Sequence, residues 1–264
     1  MPEGHTIHRR ARDHTRWLSE DPLELSSPQG RFTAGAQHLD GATLLRAHGI
    51  GKHLLYEFDR GWVHVHLGLF GRFRAWNCPA PAPRGAVRLR LKGPRKVVDL
   101  VGPTDCSVWD MDKVRALKQR LGPDPLDPDA DPERMYAKIA RSRRTIGALL
   151  MDQSVVAGIG NVYRAELLFR ASLSPFQPGN TVPQPLLEAL WQDSVDLLEI
   201  GVRYNRIITM DPKEVGTPLH RIRRGDRVYV YKRKQCRRCH GRIATQTLDA
   251  RVVHWCPSCQ SEPA

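Results

Sequence analysis

Residues 122–132 read GPDPLDPDADP. Each proline removes a backbone donor and fixes φ, so a stretch with four of them in eleven residues continues neither a helix nor a central strand. It reads as a linker, and the texture of the chain differs on its two sides. Before it, apolar residues alternate in short runs at 43–48, 52–58, 62–66, 70–76, 87–91 and 95–101, punctuated by Gly and Pro, which predicts an antiparallel sandwich or barrel. Ile7, Ala11 and Leu18 share one helical face, so a leading helix over 4–18 is expected to lie on the sheets. After the linker the period changes to that of helices at 135–140, 146–151, 162–170 and 186–200. The longest of these carries its stripe on Leu187, Leu190, Trp191, Val195 and Leu198. The expected class is α+β and multidomain. The divisions are 1–121, a linker 122–132, a helical domain 133–225 and a small hairpin module 226–264.

The 264 residues carry 41 Lys and Arg against 28 Asp and Glu, a formal net charge of +13, which favours polyanions as partners and nucleic acid foremost. No run approaches the roughly 20 apolar residues that span a bilayer, and the start lacks the apolar core of a signal peptide. A soluble, intracellular, non-membrane protein is expected. In that setting six cysteines point to metal before disulfides. Cys236-x-x-Cys239 and Cys256-x-x-Cys259 are two matching knuckles, and a hairpin between them would gather four thiolates around one tetrahedral zinc. Four thiolates leave no open position, so this zinc is expected to be structural. Cys78 and Cys106 are expected to be reduced structural thiols.

The opening Met1-Pro2-Glu3-Gly4 offers chemistry. Removal of Met1 leaves the secondary amine of Pro2 at the terminus, and an α-amino group with a pKa near 8 is partly neutral at physiological pH. Such an amine attacks C1′ of a deoxyribose to give an iminium, and Glu3 beside it supplies a proton for opening the ring.

Five blocks carry a family resemblance: MPEGHTIHRRA at the start, GKHLL at 51–55, HVHLGLFGRFR at 64–74, LLMDQSVVAGIGNVYRAELLFRA at 149–171, and the terminal CxxC pairs. In this order they resemble the formamidopyrimidine-DNA glycosylase and endonuclease VIII family across nearly the whole chain, with a PEGHT opening like that of the actinobacterial endonuclease VIII group. The resemblance implies an N-terminal β-sandwich, a helix-two-turns-helix motif, a β-hairpin zinc finger and damaged DNA, duplex or single-stranded, bound in a cleft between domains. It makes Pro2 the Schiff-base nucleophile and Glu3 the general acid. Lys52 becomes a phosphate contact that assists elimination, and Asn161 of Gly158-Ile159-Gly160-Asn161 becomes a phosphate ligand. Arg251, five residues before Cys256, matches a finger-tip phosphate clamp that helps the second elimination. Glu166 matches a family position with either a functional or a structural role.

Base chemistry on duplex DNA requires flipping the nucleotide out, and apolar wedges fill the gap. Leu69 is expected to be the main wedge and Phe70 its helper, against the alternative that both belong to a hairpin core. Two features depart from family patterns. Thr6 stands where many endonuclease VIII relatives have an acidic residue, and residues 99–104 (DLVGPT) lack the arginine-phenylalanine-glycine pattern of the oxidised-guanine branch. The second of these points to oxidised pyrimidines and abasic sites.

The expected activity is that of a bifunctional DNA glycosylase and abasic-site lyase of base excision repair, ending in β,δ-elimination. The rival is a non-catalytic zinc-ribbon protein that recognises lesions or DNA structure. A monomer in the bacterial cytoplasm, associated with the nucleoid, completes the expectation.

Overall fold

Alternation of apolar and charged residues builds the first half of the chain, described here from a computed structural model covering residues 2–261. Two compact units divide at Arg120 and Leu121. The first begins with α1 (Gly4–Leu18), β1 (Glu24–Ser26), α2 (Thr33–Leu39), β2 (Leu44–Ile50), β3 (His53–Phe58) and β4 (Gly61–His66). It continues with β5 (Arg72–Asn77), β6 (Val87–Lys92), β7 (Lys96–Val101), β8 (Asp105–Trp109) and α3 (Met111–Arg120).

The strands form two four-stranded antiparallel sheets, ordered β1-β6-β7-β5 and β2-β3-β4-β8. In β6, Val87, Leu89 and Leu91 are buried while Arg88, Arg90 and Lys92 point outward, the two-residue period of a half-buried strand. Leu54, Tyr56, Val63 and Val65 of one sheet join Leu89, Leu91, Val98 and Leu100 of the other in one core. Ile7, Ala11 and Leu18 of α1 join the same core, as their spacing predicts.

α1 is pinned along β2. Thr15 donates to Ala11 O at 2.9 Å and accepts from Ala47 N at 2.9 Å. Further toward the helix start, a Cβ on Gly49 would sit 3.0 Å from the His8 backbone. The start of α1 therefore lies at the Ile50 end of β2, next to the turn that leads into β3.

The second unit holds α4 (Glu133–Ala140), α5 (Ile146–Leu149), α6 (Asn161–Arg170), α7 (Gln184–Tyr204), α8 (Pro212–Val215) and the hairpin β9 (Ala244–Leu248) and β10 (Arg251–Trp255). Leu187, Leu190, Leu197 and Leu198 of α7 enter a core with Tyr163, Leu167 and Leu168 of α6, while Trp191 packs at its edge. The proline-rich segment is folded into this unit at its start. Leu121 and Asp124 are buried, Gly122 N donates to Gln153 O at 2.9 Å, and Pro123 O accepts from Ala157 N at 2.9 Å. A proline-rich chain without a ladder of its own still satisfies its polar groups, by bonding to a neighbouring loop. Among the described residues, no helix is long and apolar enough to cross a membrane.

Candidate active site and nucleic-acid interface

In the first unit the residues singled out by sequence gather at one end. Glu3 is the N-cap residue of α1 and fully buried, with its carbonyl accepting from Thr6 N at 2.9 Å, and Pro2 precedes it half-buried. A helix N-terminus favours negative charge through its unpaired N–H groups, which suits a carboxylate held there. Burial pushes the neighbouring His5 down to about 4, so its imidazole is neutral at physiological pH. Met1, whose removal the proline chemistry requires, lies outside the described residues. Lys52 follows Gly51 in the β2–β3 turn, at the β2 end that faces the start of α1.

The loop between β4 and β5 leaves from the same end, because His66 is the cross-strand partner of His53. Its backbone is clamped at two glycines. A Cβ on Gly68, whose φ is +63°, would meet Thr104 Oγ1 at 1.9 Å, and one on Gly71 would lie 2.3 Å from Leu67 O. Between these clamps Leu69 is 46% and Phe70 82% exposed, so neither is a core residue of a hairpin. β5 starts only at Arg72, after the Gly71 N–H has turned back to Leu67 O at 3.0 Å. Two apolar side chains held in water by a rigid loop are costly unless something covers them.

Sequence reading missed a hydrogen-bonded chain beside Lys52. On the outer face of the β2-β3-β4-β8 sheet, His53 Nδ1 lies 2.8 Å from His64 Nε2, and His64 Nδ1 lies 2.6 Å from Asp105 Oδ2. The signal was the alternation His64-Val65-His66, which places both imidazoles on the face that Val65 leaves.

In the second unit Asn161 opens α6 and is buried. Its Nδ2 donates to Val252 O at 2.9 Å, and its Oδ1 accepts from Arg164, itself fully buried, which also donates to Gly147 O at 3.4 Å. The preceding loop is held by Gln153, which donates to Ile159 O at 3.0 Å and accepts from Gly158 N at 3.1 Å. Val252 follows Arg251, so Asn161 and the finger tip are brought together. Arg251 is exposed at the first position of β10, directly after a turn in which Asp249 and Ala250 both have positive φ, 46° and 59°. Arg144 pairs with Asp152 at 2.8 Å and with Asp249 of that turn at 3.6 Å. Arg164 was also missed. Its signal was a cation three residues after Asn161, one turn along the same helix face.

Cys236, Cys239, Cys256 and Cys259 place their Sγ atoms within 4.8 Å of one another, close enough to bind one metal ion. The Gly241 N–H, donating at 3.4 Å, and hydrogen bonding among the four thiols lower Cys239 to about 7, so thiolate forms readily there. Cys78 and Cys106 stand apart as free thiols, and burial pushes Cys106 up to about 12.

Glu166 roots this module. Its buried carboxylate accepts from Tyr229 N at 2.6 Å, Val230 N at 2.9 Å, Tyr231 N at 2.8 Å and Thr209 Oγ1 at 2.5 Å. Burial raises its pKa and these four donors oppose the rise. All its acceptor capacity is taken up by the protein, which makes its role structural.

Residues 1–105 match the family model of the formamidopyrimidine-DNA glycosylase N-terminal domain, and residues 121–212 match that of the formamidopyrimidine-DNA glycosylase H2TH domain. The chain is 48% identical over 269 residues to Endonuclease 8 1 of Mycobacterium tuberculosis, covering 99% of this chain and 100% of that protein. It is 35% identical over 271 residues to Endonuclease 8 2 of Mycobacterium bovis, covering 98% and 100%. A solved complex between the Lactococcus lactis Fpg and an abasic site containing DNA shares the fold, with a TM-score of 0.81 at 21% identity over 98% of this chain and 100% of that one. The chain thus belongs to the formamidopyrimidine-DNA glycosylase and endonuclease 8 family, whose members are DNA glycosylases with abasic-site lyase activity.

Proposed function

We propose that the protein excises oxidised bases, pyrimidines foremost, from damaged DNA and cleaves the strand through a Schiff base on Pro2. The observation that carries this reading is the pairing of a half-buried Pro2 with a fully buried Glu3 at the start of α1, at the same end of the unit as Lys52 and the exposed Leu69 and Phe70. The secondary amine of Pro2 attacks C1′ and the base departs. Glu3 protonates the ring oxygen, and the ring opens to an iminium. The iminium makes the C2′ protons acidic, so loss of one expels the 3′ phosphate, and a second elimination expels the 5′ phosphate. A one-nucleotide gap with phosphate at both ends remains.

In this reading Lys52, Asn161 and Arg251 hold phosphates, while Leu69 fills the space of the flipped nucleotide with Phe70 beside it. The four cysteines suit one structural zinc, since four soft donors close a tetrahedral shell. That ion would stiffen the hairpin that presents Arg251 and takes no part in the bond-breaking steps. The preference for pyrimidines rests on residues 99–104, where β7 ends in Val101 and Gly102 turns at φ +58°. A monomer working on the DNA of the bacterial cytoplasm completes the proposal.

The test is borohydride trapping on duplex DNA with an abasic site, using Met1-processed protein beside a version that keeps an N-terminal extension. A covalent adduct with the processed protein alone is expected. No adduct with either, despite bound zinc and tight DNA binding, replaces the proposal with a non-catalytic DNA-binding protein on the same fold.

A further inference from the structure

Beyond α7 the second unit becomes basic: residues 201–227 hold seven Lys and Arg against three Asp and Glu. Most of this stretch is neither helix nor strand, yet its shape is fixed. Ile222 is 1% exposed and pegs the chain to the unit, while Arg221, Arg223 and Arg224 around that peg are exposed. Short 3-10 turns at Leu219–Arg221 and Arg224–Asp226 set the backbone before and after it.

Two half-buried arginines hold this backbone by its carbonyls. Arg206 Nη2 donates to His220 O at 2.6 Å, and Arg227 Nε donates to Ile222 O at 3.4 Å, so two guanidinium groups converge on carbonyls two residues apart. The Arg206 guanidinium also lies over the Tyr204 ring, 5.9 Å from its centroid. The second turn is tied to the four-cysteine module: Gly225 O accepts from Arg237 at 3.0 Å and from Arg233, and Arg237 pairs with Asp226.

Counter-charge is what the loop lacks. Asp226 is engaged by Arg237, and Asp211 caps α8 by accepting from Lys213 N at 2.8 Å. Among the described residues, no carboxylate lies within ion-pair distance of Arg206, Arg221, Arg223, Arg224 or Arg227. The crowding shows in Arg227, whose pKa is lowered by burial first and then by the charges of Arg206 and Arg224. Like charges held together repel, and a bound anion relieves that repulsion.

We propose that Arg206, Arg221, Arg223, Arg224 and Arg227 form a further phosphate-binding site, which takes backbone phosphates of duplex DNA and reads neither base nor damage. Guanidinium suits the task, since its planar fork donates two parallel N–H groups to phosphate oxygens and stays charged. Contacts of this kind are independent of sequence, so the site serves the hold on undamaged DNA during the search for a lesion. The inference needs DNA as partner and does not rest on the Pro2 chemistry.

The experiment measures the affinity of the full chain for an undamaged and an abasic duplex of equal length, from about 50 to about 200 mM salt. Each phosphate contact adds about 0.9 to the slope of log K against log salt. Arg221→Gln, Arg223→Gln and Arg224→Gln together, all at exposed side chains, should lower the slope by about 2 to 3 on both duplexes. Across that range the variant then loses roughly 10- to 40-fold less affinity than the parent. Lys at the same three positions should keep the slope within about 0.5 of the parent, because charge carries it. Arg31→Gln, Arg60→Gln and Arg84→Gln together remove equal charge from exposed positions of the first unit, and should also stay within about 0.5. Should the first triple variant melt early, Arg223→Gln alone gives the reading, with an expected loss of about 0.9.

An unchanged slope in a folded Gln variant overturns the site. A loss no greater than that of the first-unit control does the same, since net charge then explains it. A loss confined to the abasic duplex overturns it too, by making these arginines part of lesion recognition. If inorganic phosphate at fixed ionic strength shifts the side-chain Nε signals of Arg224 and Arg227 while the DNA slope stays put, the site takes free phosphate and the assignment to DNA fails. A parent that binds duplex DNA but traps no adduct leaves this test intact, and only the Schiff-base reading falls.

Discussion

Glu166→Gln tests how the four-cysteine module is rooted. The carboxylate takes three backbone N–H groups and one hydroxyl in a site closed to water. In the amide, Oε1 still accepts from Val230 and Tyr231, but the NH2 replaces the oxygen that served Tyr229 N and Thr209 Oγ1. Thr209 can rotate its hydroxyl, whereas the Tyr229 N–H is fixed. One charge-assisted bond is lost, about 1.5–3 kcal/mol, and one buried N–H is left unsatisfied, about 1–3 kcal/mol more. A net loss of about 3–5 kcal/mol agrees with the cost of removing one partner of a buried charged pair. For a unit of this size that is a fall in Tm on the order of 10 °C. Hydrogen exchange should locate the loss at the amides of Tyr229, Val230 and Tyr231, and zinc should leave faster in the presence of a chelator. Unchanged protection at those three amides, with a Tm within about 2 °C of the parent, refutes the rooting argument.

Acid should destabilise the first unit, at pH values below those at which the Pro2 amine takes up its proton. Burial lowers His14, bonded to Tyr56 OH at 2.7 Å, to about 3 and His5 to about 4, so the unfolded chain takes up protons near its ordinary pKa that the folded chain refuses. Their stabilisation is complete above pH 6.5 and is lost as pH falls toward 3, at up to about 1.4 kcal/mol per pH unit per histidine, measured by denaturant titration across that window. Leu69→Ala should cut excision of a paired lesion roughly tenfold yet shift stability by less than about 0.5 kcal/mol, because the side chain is nearly half exposed; full excision on duplex DNA rules out a wedge. Ala250→Gly relieves a left-handed backbone and should raise the melting point of the finger by the equivalent of about 1 kcal/mol, read by calorimetry.

Most of the strand pattern was legible because Val87, Leu89 and Leu91 or Ile7, Ala11 and Leu18 need nothing beyond their spacing. What escaped has weak periodicity. β1 is three residues long, and β8 reads DCSVW, in which Asp105 and Ser107 serve a hydrogen-bond chain instead of displaying an alternation. α2 and α3 bury only two residues each, too few to mark a stripe. Residues 121–125 show the limit of composition: proline and aspartate describe a chain without a ladder, and cannot say that a neighbouring loop supplies its partners. At the candidate site, single residues such as Pro2, Asn161 and Arg251 were named by motif, whereas the contacts of Arg164 with Gly147 and Val252 and the His53–His64–Asp105 chain depend on pairs far apart in sequence. No local window contains them.

The bond from Asn161 Nδ2 to Val252 O closes a loop of 91 residues. Local helix formation is fast and the closing of long loops is slow, so during synthesis α6 forms well before the strand that completes its first residue has left the ribosome. An unfinished chain therefore carries Asn161 before the carbonyl that its side chain bonds has been made. Truncation between α6 and β10 should leave a chain that retains the helix sequence and forfeits the bond from Asn161 to the last strand, which makes completion of that strand the step that fixes the start of α6.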